Sequence, residues 1–113
     1  MNSLVDNLNN KWEDPDYTFF DYQVEAVATL GPDRDARLLA LGVGGEAGEV
    51  MEIIKKGFRP GRTIDIEHLK EELGDVLWYV AVLADTYDLD LEEIALNNID
   101  KLAKRYGSET SAA

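Results

Sequence analysis

The sequence predicts an all-α protein, a four-helix antiparallel bundle that oligomerises through helix faces. Apolar residues recur every three to four positions along most of the 113 residues, which is typical of amphipathic helices. Glycine- and proline-containing breaks separate these stretches, and no segment shows the alternating pattern of a half-buried strand. We expect one domain over residues 17–107, preceded by a polar segment at 1–16 and followed by a flexible tail at 108–113.

The first helix is predicted over about residues 18–30, and the Gly31–Pro32 pair ends it. The second is predicted over about residues 33–56. The expected core-facing residues are Phe20, Val24 and Val27 in the first helix, and Leu39, Val43, Val50, Ile53 and Ile54 in the second. Glu46 falls inside the second stripe, so its carboxylate must be paired, bound to a metal or placed at a cleft.

The third helix is predicted to begin after an N-cap at Asp65 and to reach about Tyr87. Its main stripe is Ile66, Leu69, Leu73, Val76, Leu77, Val80 and Leu83, with Ala84 and Tyr87. A second apolar face contains Trp78, Tyr79 and Val82. Because a helix that is apolar on both sides must be covered on both sides, we expect a subunit interface there. The alternative is that Trp78 and Tyr79 cover a loop or the first helix.

The fourth helix is predicted to begin after Asp90, with Glu93 completing the cap, and to end at Gly107. Its apolar stripe is Leu91, Ile94, Ala95 and Leu102. Asn98 and Arg105 interrupt this stripe and Lys101 lies beside them. These three side chains could offer an amide and two cations to a phosphate chain, or simply extend from the edge of the helix into water.

The chain is strongly acidic. Twenty-three acidic and eleven basic residues give a formal charge of −12, which opposes binding to nucleic acid polymers and anionic membranes. A phosphate ligand would need divalent cations and a few local Lys and Arg residues. The absence of cysteine excludes disulfides, zinc-thiolate sites and thiol nucleophiles. Because no leader pattern or apolar run of about 20 residues is present, we expect a cytoplasmic location.

Two pairs of carboxylates are each spaced one helical turn apart: Glu46 with Glu49, and Glu72 with Asp75. Packing of the second helix on the third would bring all four together. Such a group repels itself unless cations neutralise it, and an all-oxygen set favours Mg²⁺, with Mn²⁺ as a substitute. The pattern predicts a magnesium site that meets substrate phosphates, where activated water attacks phosphorus.

A solvated acidic face is the alternative, because these spacings are common in exposed helices. The position of Glu46 inside an apolar stripe favours the metal site. A run of helix-weakening glycines does so too, since each costs about 1 kcal/mol relative to alanine. These glycines are Gly42, Gly44, Gly45 and Gly48. We expect them where a backbone or a ligand approaches closely.

The sequence resembles the MazG-like nucleotide pyrophosphohydrolases, an all-α superfamily that includes dimeric dUTPases and phosphoribosyl-ATP pyrophosphohydrolases. The similarity lies in residues 21–23, 42–50, 71–79, 98–102 and 105–106. The order E-x-x-E, spacer, E-x-x-D is the signature of the family, and the spacer between Glu49 and Glu72 has 22 residues.

The resemblance implies a nucleoside triphosphate substrate that is cleaved to monophosphate and pyrophosphate. It implies Mg²⁺ ligands at Glu46, Glu49, Glu72 and Asp75, with Glu46 or Glu49 orienting or deprotonating the attacking water. Substrate contacts are implied for Asn98, Lys101, Arg105, Lys55, Lys56, Gln23 and Trp78. The same similarity implies a homodimer or a homotetramer.

Other interpretations fit less well. Residues 42–47 resemble a dinucleotide-binding glycine pattern, but no alternation of strands and helices follows. Residues 88–92 resemble a calcium loop, but Glu93 stands where glycine is needed. The single histidine, His68, lacks the spacing of a di-iron bundle and is expected to be an exposed first-turn residue. The remaining alternative is a non-catalytic acidic oligomer, a scaffold or antitoxin-like protein that binds a basic partner.

Overall fold

The computed structural model describes residues 13–32 and 34–112. Over these residues the protein is all-helical and contains no strand, which confirms the predicted class. The helices are α1 (Phe19–Thr29), α2 (Ala36–Gly57), α3 (Ile66–Thr86) and α4 (Leu91–Ala112). None of these helices has both the length and the hydrophobicity that crossing a membrane requires. Residues 1–12 of the predicted polar segment lie outside the described residues. Residues 13–16 form an exposed turn.

Each helix begins where a side chain accepts hydrogen bonds from the free backbone amides of its first turn. Thr18 and Asp21 form a reciprocal capping box at α1. Asp35 caps α2 and Asp65 caps α3. The Asp90 carboxylate accepts from the Glu92 N–H at 2.9 Å at the start of α4. Each cap contributes about 1 kcal/mol, so the helix starts are fixed locally.

The end of α4 was predicted wrongly. The helix continues past Gly107 to Ala112. A glycine ends a helix when it adopts positive φ, and Gly61 is the glycine that does so among the described residues. Because Gly107 keeps a helical backbone and no proline follows, the helix is not terminated there. The start of α2 at Ala36 also differs from the predicted start at Asp33, which lies outside the described residues.

The central element is α3, which packs against each of the other three helices and most extensively against α2. Within the described ranges, no Cα atom of α2 comes within 8 Å of one in α1 or α4. The helices therefore do not close into a bundle in which each has two neighbours. The buried core consists of Ala26, Leu39, Ala81, Val82 and Leu91.

The second apolar face of α3 is covered in part within the chain. Val82 is fully buried, and Trp78 donates from Nε1 to Thr29 Oγ1 on α1 at 2.8 Å. On another side, Tyr79 packs so closely on Gly42 of α2 that a Cβ there would lie 2.1 Å from the ring. Trp78 and Tyr79 stay half-buried, so the subunit interface expected at this face stays a prediction.

The buried face of α1 also differs from the predicted one. Phe20 and Val24 are exposed, whereas Gln23 and Ala26 are buried. The Gln23 amide explains the difference, because it makes three hydrogen bonds inside the protein. Its Nε2 donates to Ala81 O at 3.1 Å and to Leu89 O at 3.0 Å, and its Oε1 accepts from Leu91 N at 3.0 Å.

The predicted stripes of the other helices are buried only in part. In α2, Leu39 and Ile53 are buried, and the remaining stripe residues are half-buried. In α3, Ile66, Leu73 and Tyr87 are exposed. In α4, Leu91 is the one buried stripe residue among those described. The apolar surface of α4 is therefore largely uncovered.

Candidate functional site

Three of the four predicted carboxylates meet where α2 packs on α3. One carboxylate oxygen from each of Glu46, Glu72 and Asp75 lies within 4.8 Å of the others. Glu46 reaches this position because it belongs to the half-buried stripe of α2 that faces α3. Glu72 and Asp75 are one turn apart on α3. We call these three residues the carboxylate cluster.

Glu72 is largely enclosed, with a side chain 15% exposed, whereas Asp75 is exposed. Its Oε2 atom is buried and has no hydrogen-bond partner. Its Oε1 atom lies 3.4 Å from Nε2 of His68. A buried charged oxygen without a partner is costly, so the site favours a ligand that supplies positive charge. A divalent cation fits this set of oxygen donors.

The carboxylates perturb one another. Hydrogen bonding with Glu72 raises the pKa of Glu46 from its ordinary value of 4.5 to about 7. Desolvation adds to this, as does repulsion from Glu72, Asp75 and Glu49. A proton on Glu46 lets it donate to Glu72, so without a cation the pair holds a proton below about pH 7.

This pKa shift predicts a pH-dependent loss of stability. The folded-state pKa of Glu46 lies above the unfolded value, so its stabilising contribution is complete below about pH 4.5 and is lost as the pH rises through about 7. In EDTA, the melting temperature of the wild type should fall relative to Glu46→Gln between pH 5 and pH 8. Thermal scans of both proteins test this, and adding Mg²⁺ at pH 8 should reverse the loss. A constant difference across this pH range would contradict the shift.

Glu49, the fourth predicted ligand, is exposed and is not part of the carboxylate cluster. It lines an adjoining cavity of about 230 Å³ between the end of α2 and the start of α3. The cavity is also lined by two cationic side chains, Lys56 and Arg62, and by His68. Its other lining residues are Glu52, Ile53, Gly57, Thr63 and Asp65. Lys55 is exposed and does not line it.

The connection after α2 shapes this cavity. A Cβ at Gly57 would lie 2.8 Å from the Cα of Ile64, so glycine allows the returning chain to lie against the end of α2. Gly61 adopts φ +76°, a conformation that favours glycine. The Arg62 N–H donates to Arg59 O at 3.0 Å and closes this turn. This turn places Arg62 and Thr63 in the wall of the cavity.

A second cavity, of about 320 Å³, lies on the α1 side of the carboxylate cluster. It is lined by Tyr17, Thr18, Phe19, Tyr22 and Leu77. Burial raises the pKa of Tyr22, and the nearby charge of Asp75 raises it further, which places Tyr22 close to the carboxylate cluster. Tyr17 is held by a hydrogen bond from its hydroxyl to Glu25.

The predicted substrate contacts are dispersed. Asn98, Lys101 and Arg105 are exposed on α4, a helix that does not approach α2 within the described part of the chain. Gln23 is 5% exposed and its amide is engaged with backbone groups, so the structure gives it a structural role. Trp78 is bonded to α1. Neither Arg62 nor Tyr22 was predicted from the sequence. His68 is an exposed first-turn residue as predicted, but its contact with Glu72 was not expected. The one signal for Arg62 was its position in the break after α2.

The sequence was compared with models of known protein families, with known proteins and with solved structures. The family model described as MazG nucleotide pyrophosphohydrolase domain matches residues 34–108. The Gene 37 protein of Mycobacterium phage L5 is 38% identical over 71 residues, which are 59% of this chain and 62% of that protein. The uncharacterized protein YvdC of Bacillus subtilis (strain 168) is 42% identical over 40 residues, 35% of this chain and 38% of that protein. The chain thus spans less than two thirds of each relative. No solved structure matches it significantly.

Proposed function

The chain belongs to the MazG nucleotide pyrophosphohydrolase family, and we propose that it is a Mg²⁺-dependent hydrolase that cleaves nucleoside triphosphates to the monophosphate and pyrophosphate. The observation that carries this proposal is the carboxylate cluster, where Glu46, Glu72 and Asp75 present oxygens within 4.8 Å of one another. These residues would hold the cation, with Glu49 as a fourth ligand one turn along α2 from Glu46.

Each part of the site has a proposed task. A bound Mg²⁺ would neutralise phosphate charge and activate water. Glu46 or Glu49 would orient the attacking water or accept its proton. Lys56, which lines the cavity beside Glu49, would offset charge on the phosphate chain. The location is proposed to be cytoplasmic, and no nucleic acid polymer or membrane is proposed as a partner.

The test is to incubate the purified protein with each common NTP and dNTP, including dUTP, in Mg²⁺ and to resolve the products by ion exchange. We expect the monophosphate and pyrophosphate, and we expect no products in EDTA. Release of orthophosphate would contradict the proposed bond cleavage. No turnover with any nucleotide would favour the non-catalytic oligomer.

We also propose that the protein is a homodimer or homotetramer in which α4 meets a second copy. Its uncovered apolar residues follow helical spacing on one side and are Leu96, Ile99, Leu102 and Tyr106. Contiguous exposed apolar surface is typical of interaction sites. Asn98 and Arg105 lie beside Leu102 at the edge of this stripe, so assembly would bring them close to a second chain.

The assembly proposal predicts that Ile99→Asp shifts the protein toward the 12.6 kDa monomer. Ile99 is 63% exposed within its own chain, so the substitution should leave the fold intact and add a charge only to the proposed interface. Light scattering after size exclusion measures the mass. Lys104→Asp, on the other side of α4, is the control and should keep the wild-type mass. A monomeric wild type at tens of micromolar would refute the proposal.

A further inference from the structure

A histidine contacts an enclosed carboxylate of the proposed metal site. His68 lies in the first turn of α3, and its Nε2 atom is 3.4 Å from Oε1 of Glu72, four residues later. We propose that His68 is a positioning residue, which fixes the carboxylate of Glu72 for cation binding. The inference rests on the proposed metal site and assigns a function to a side chain that the family motif does not contain.

The helix cap anchors the histidine side of this contact. The backbone N–H of His68 donates to Oδ1 of Asp65, the α3 cap, at 3.1 Å. This bond fixes the first turn of α3 and with it the start of the His68 side chain. Glu72 is 15% exposed whereas His68 is 50% exposed, so the imidazole connects an enclosed carboxylate to the cavity wall. The capping residue, the histidine and the ligand therefore form one continuous chain of contacts.

The contact leaves the other oxygen of Glu72 available. Oε1 faces the imidazole, while Oε2 is buried without a hydrogen-bond partner. A carboxylate held at one oxygen loses less rotational freedom when the other binds a cation. Groups that orient ligands in this way typically change metal affinity by about 10- to 100-fold.

A positioning role and a charge role predict effects of opposite sign. If His68 acted as a nearby cation, removing it would strengthen the binding of Mg²⁺, because like charges repel. If it orients Glu72 through an N–H donor, removing it weakens binding. The sign of the change in Mg²⁺ affinity therefore distinguishes the two roles.

The experiment is a calorimetric titration of Mg²⁺ into the full chain without nucleotide at pH 8. His68→Ala should bind about tenfold more weakly than the wild type. His68→Gln should recover most of the affinity, because the glutamine amide can donate to Glu72. Lys70→Ala removes an exposed cation two residues away and should bind no more weakly than the wild type. Circular dichroism establishes that each variant is folded.

Glu72→Gln separates this inference from the metal site itself. If the wild type binds Mg²⁺ and Glu72→Gln does not, the metal site stands, and equal affinities for His68→Ala and the wild type overturn only the role of His68. The same holds if His68→Ala binds more tightly. If the wild type binds no Mg²⁺, or if Glu72→Gln binds as well as the wild type, the metal site and the role of His68 both fail.

Discussion

Replacing Glu72 with glutamine should reduce kcat/KM by about a thousandfold, or about 4 kcal/mol of transition-state stabilisation. Glutamine keeps the shape of the side chain but removes the charge of an enclosed member of the carboxylate cluster. The cation that offsets the substrate charge would then lose a ligand. Steady-state assays with the preferred nucleotide measure the effect, and it should persist at saturating substrate because kcat falls.

The control is Glu67→Gln, which removes the same charge from an exposed position in the first turn of α3. It should retain activity within about twofold, since an exposed charge far from the carboxylate cluster is screened by solvent. A fall in activity with Glu67→Gln as large as with Glu72→Gln would mean that net charge, and not the cluster, supports turnover. Full activity of Glu72→Gln would refute the proposed site.

Replacing Gln23 with alanine should lower the free energy of unfolding by about 2 kcal/mol or more. The substitution removes three hydrogen bonds and leaves Leu89 O and Leu91 N without these partners, whereas Ala81 O lies within α3 and keeps a helical N–H partner. Each unsatisfied group that stays buried costs roughly 1–3 kcal/mol. Urea denaturation monitored by circular dichroism measures the change, and a loss of this size is a large share of the stability of a small domain.

Val24→Ala is the matched control, because Val24 follows Gln23 in α1 and is 54% exposed. It should change the free energy of unfolding by about 0.5 kcal/mol or less. If Gln23→Ala fails to fold, Gln23→Glu serves in its place, since it keeps an acceptor for Leu91 N and loses both donors. A loss below about 1 kcal/mol in Gln23→Ala would show that water reaches the space left by the amide and satisfies the backbone groups that Gln23 bonds.

The sequence was sufficient to predict the features that depend on neighbouring residues. The caps at Asp65 and Asp90 act within three residues, and the break after α2 needs only Gly57, Pro60 and Gly61. The meeting of Glu46 with Glu72 and Asp75 was also predictable, because helical spacing places both sets on facing sides of α2 and α3. These local rules identified all three residues of the carboxylate cluster.

The contacts between distant residues were not predictable in this way. The partners of Gln23 lie 58 to 68 residues away, and periodicity alone favoured Phe20 and Val24 as the buried face of α1. The apolar C-terminal half of α3 indicated that two sides are covered but not by what, and the contacts of Trp78 with Thr29 and of Tyr79 with Gly42 supply part of that cover. Arg62 depends on a turn whose shape no spacing rule describes.

The close approach at Gly57 limits how this region can change during evolution. Any larger side chain there would meet Ile64 and push the returning chain away from the end of α2. Gly61 is constrained separately by its positive φ, whereas Arg59 and Pro60 are exposed between them. Substitutions should therefore be tolerated at the exposed tip of this connection and restricted at its two glycines. Relatives can vary the outer surface of the loop while Arg62 and Thr63 keep their places in the cavity wall.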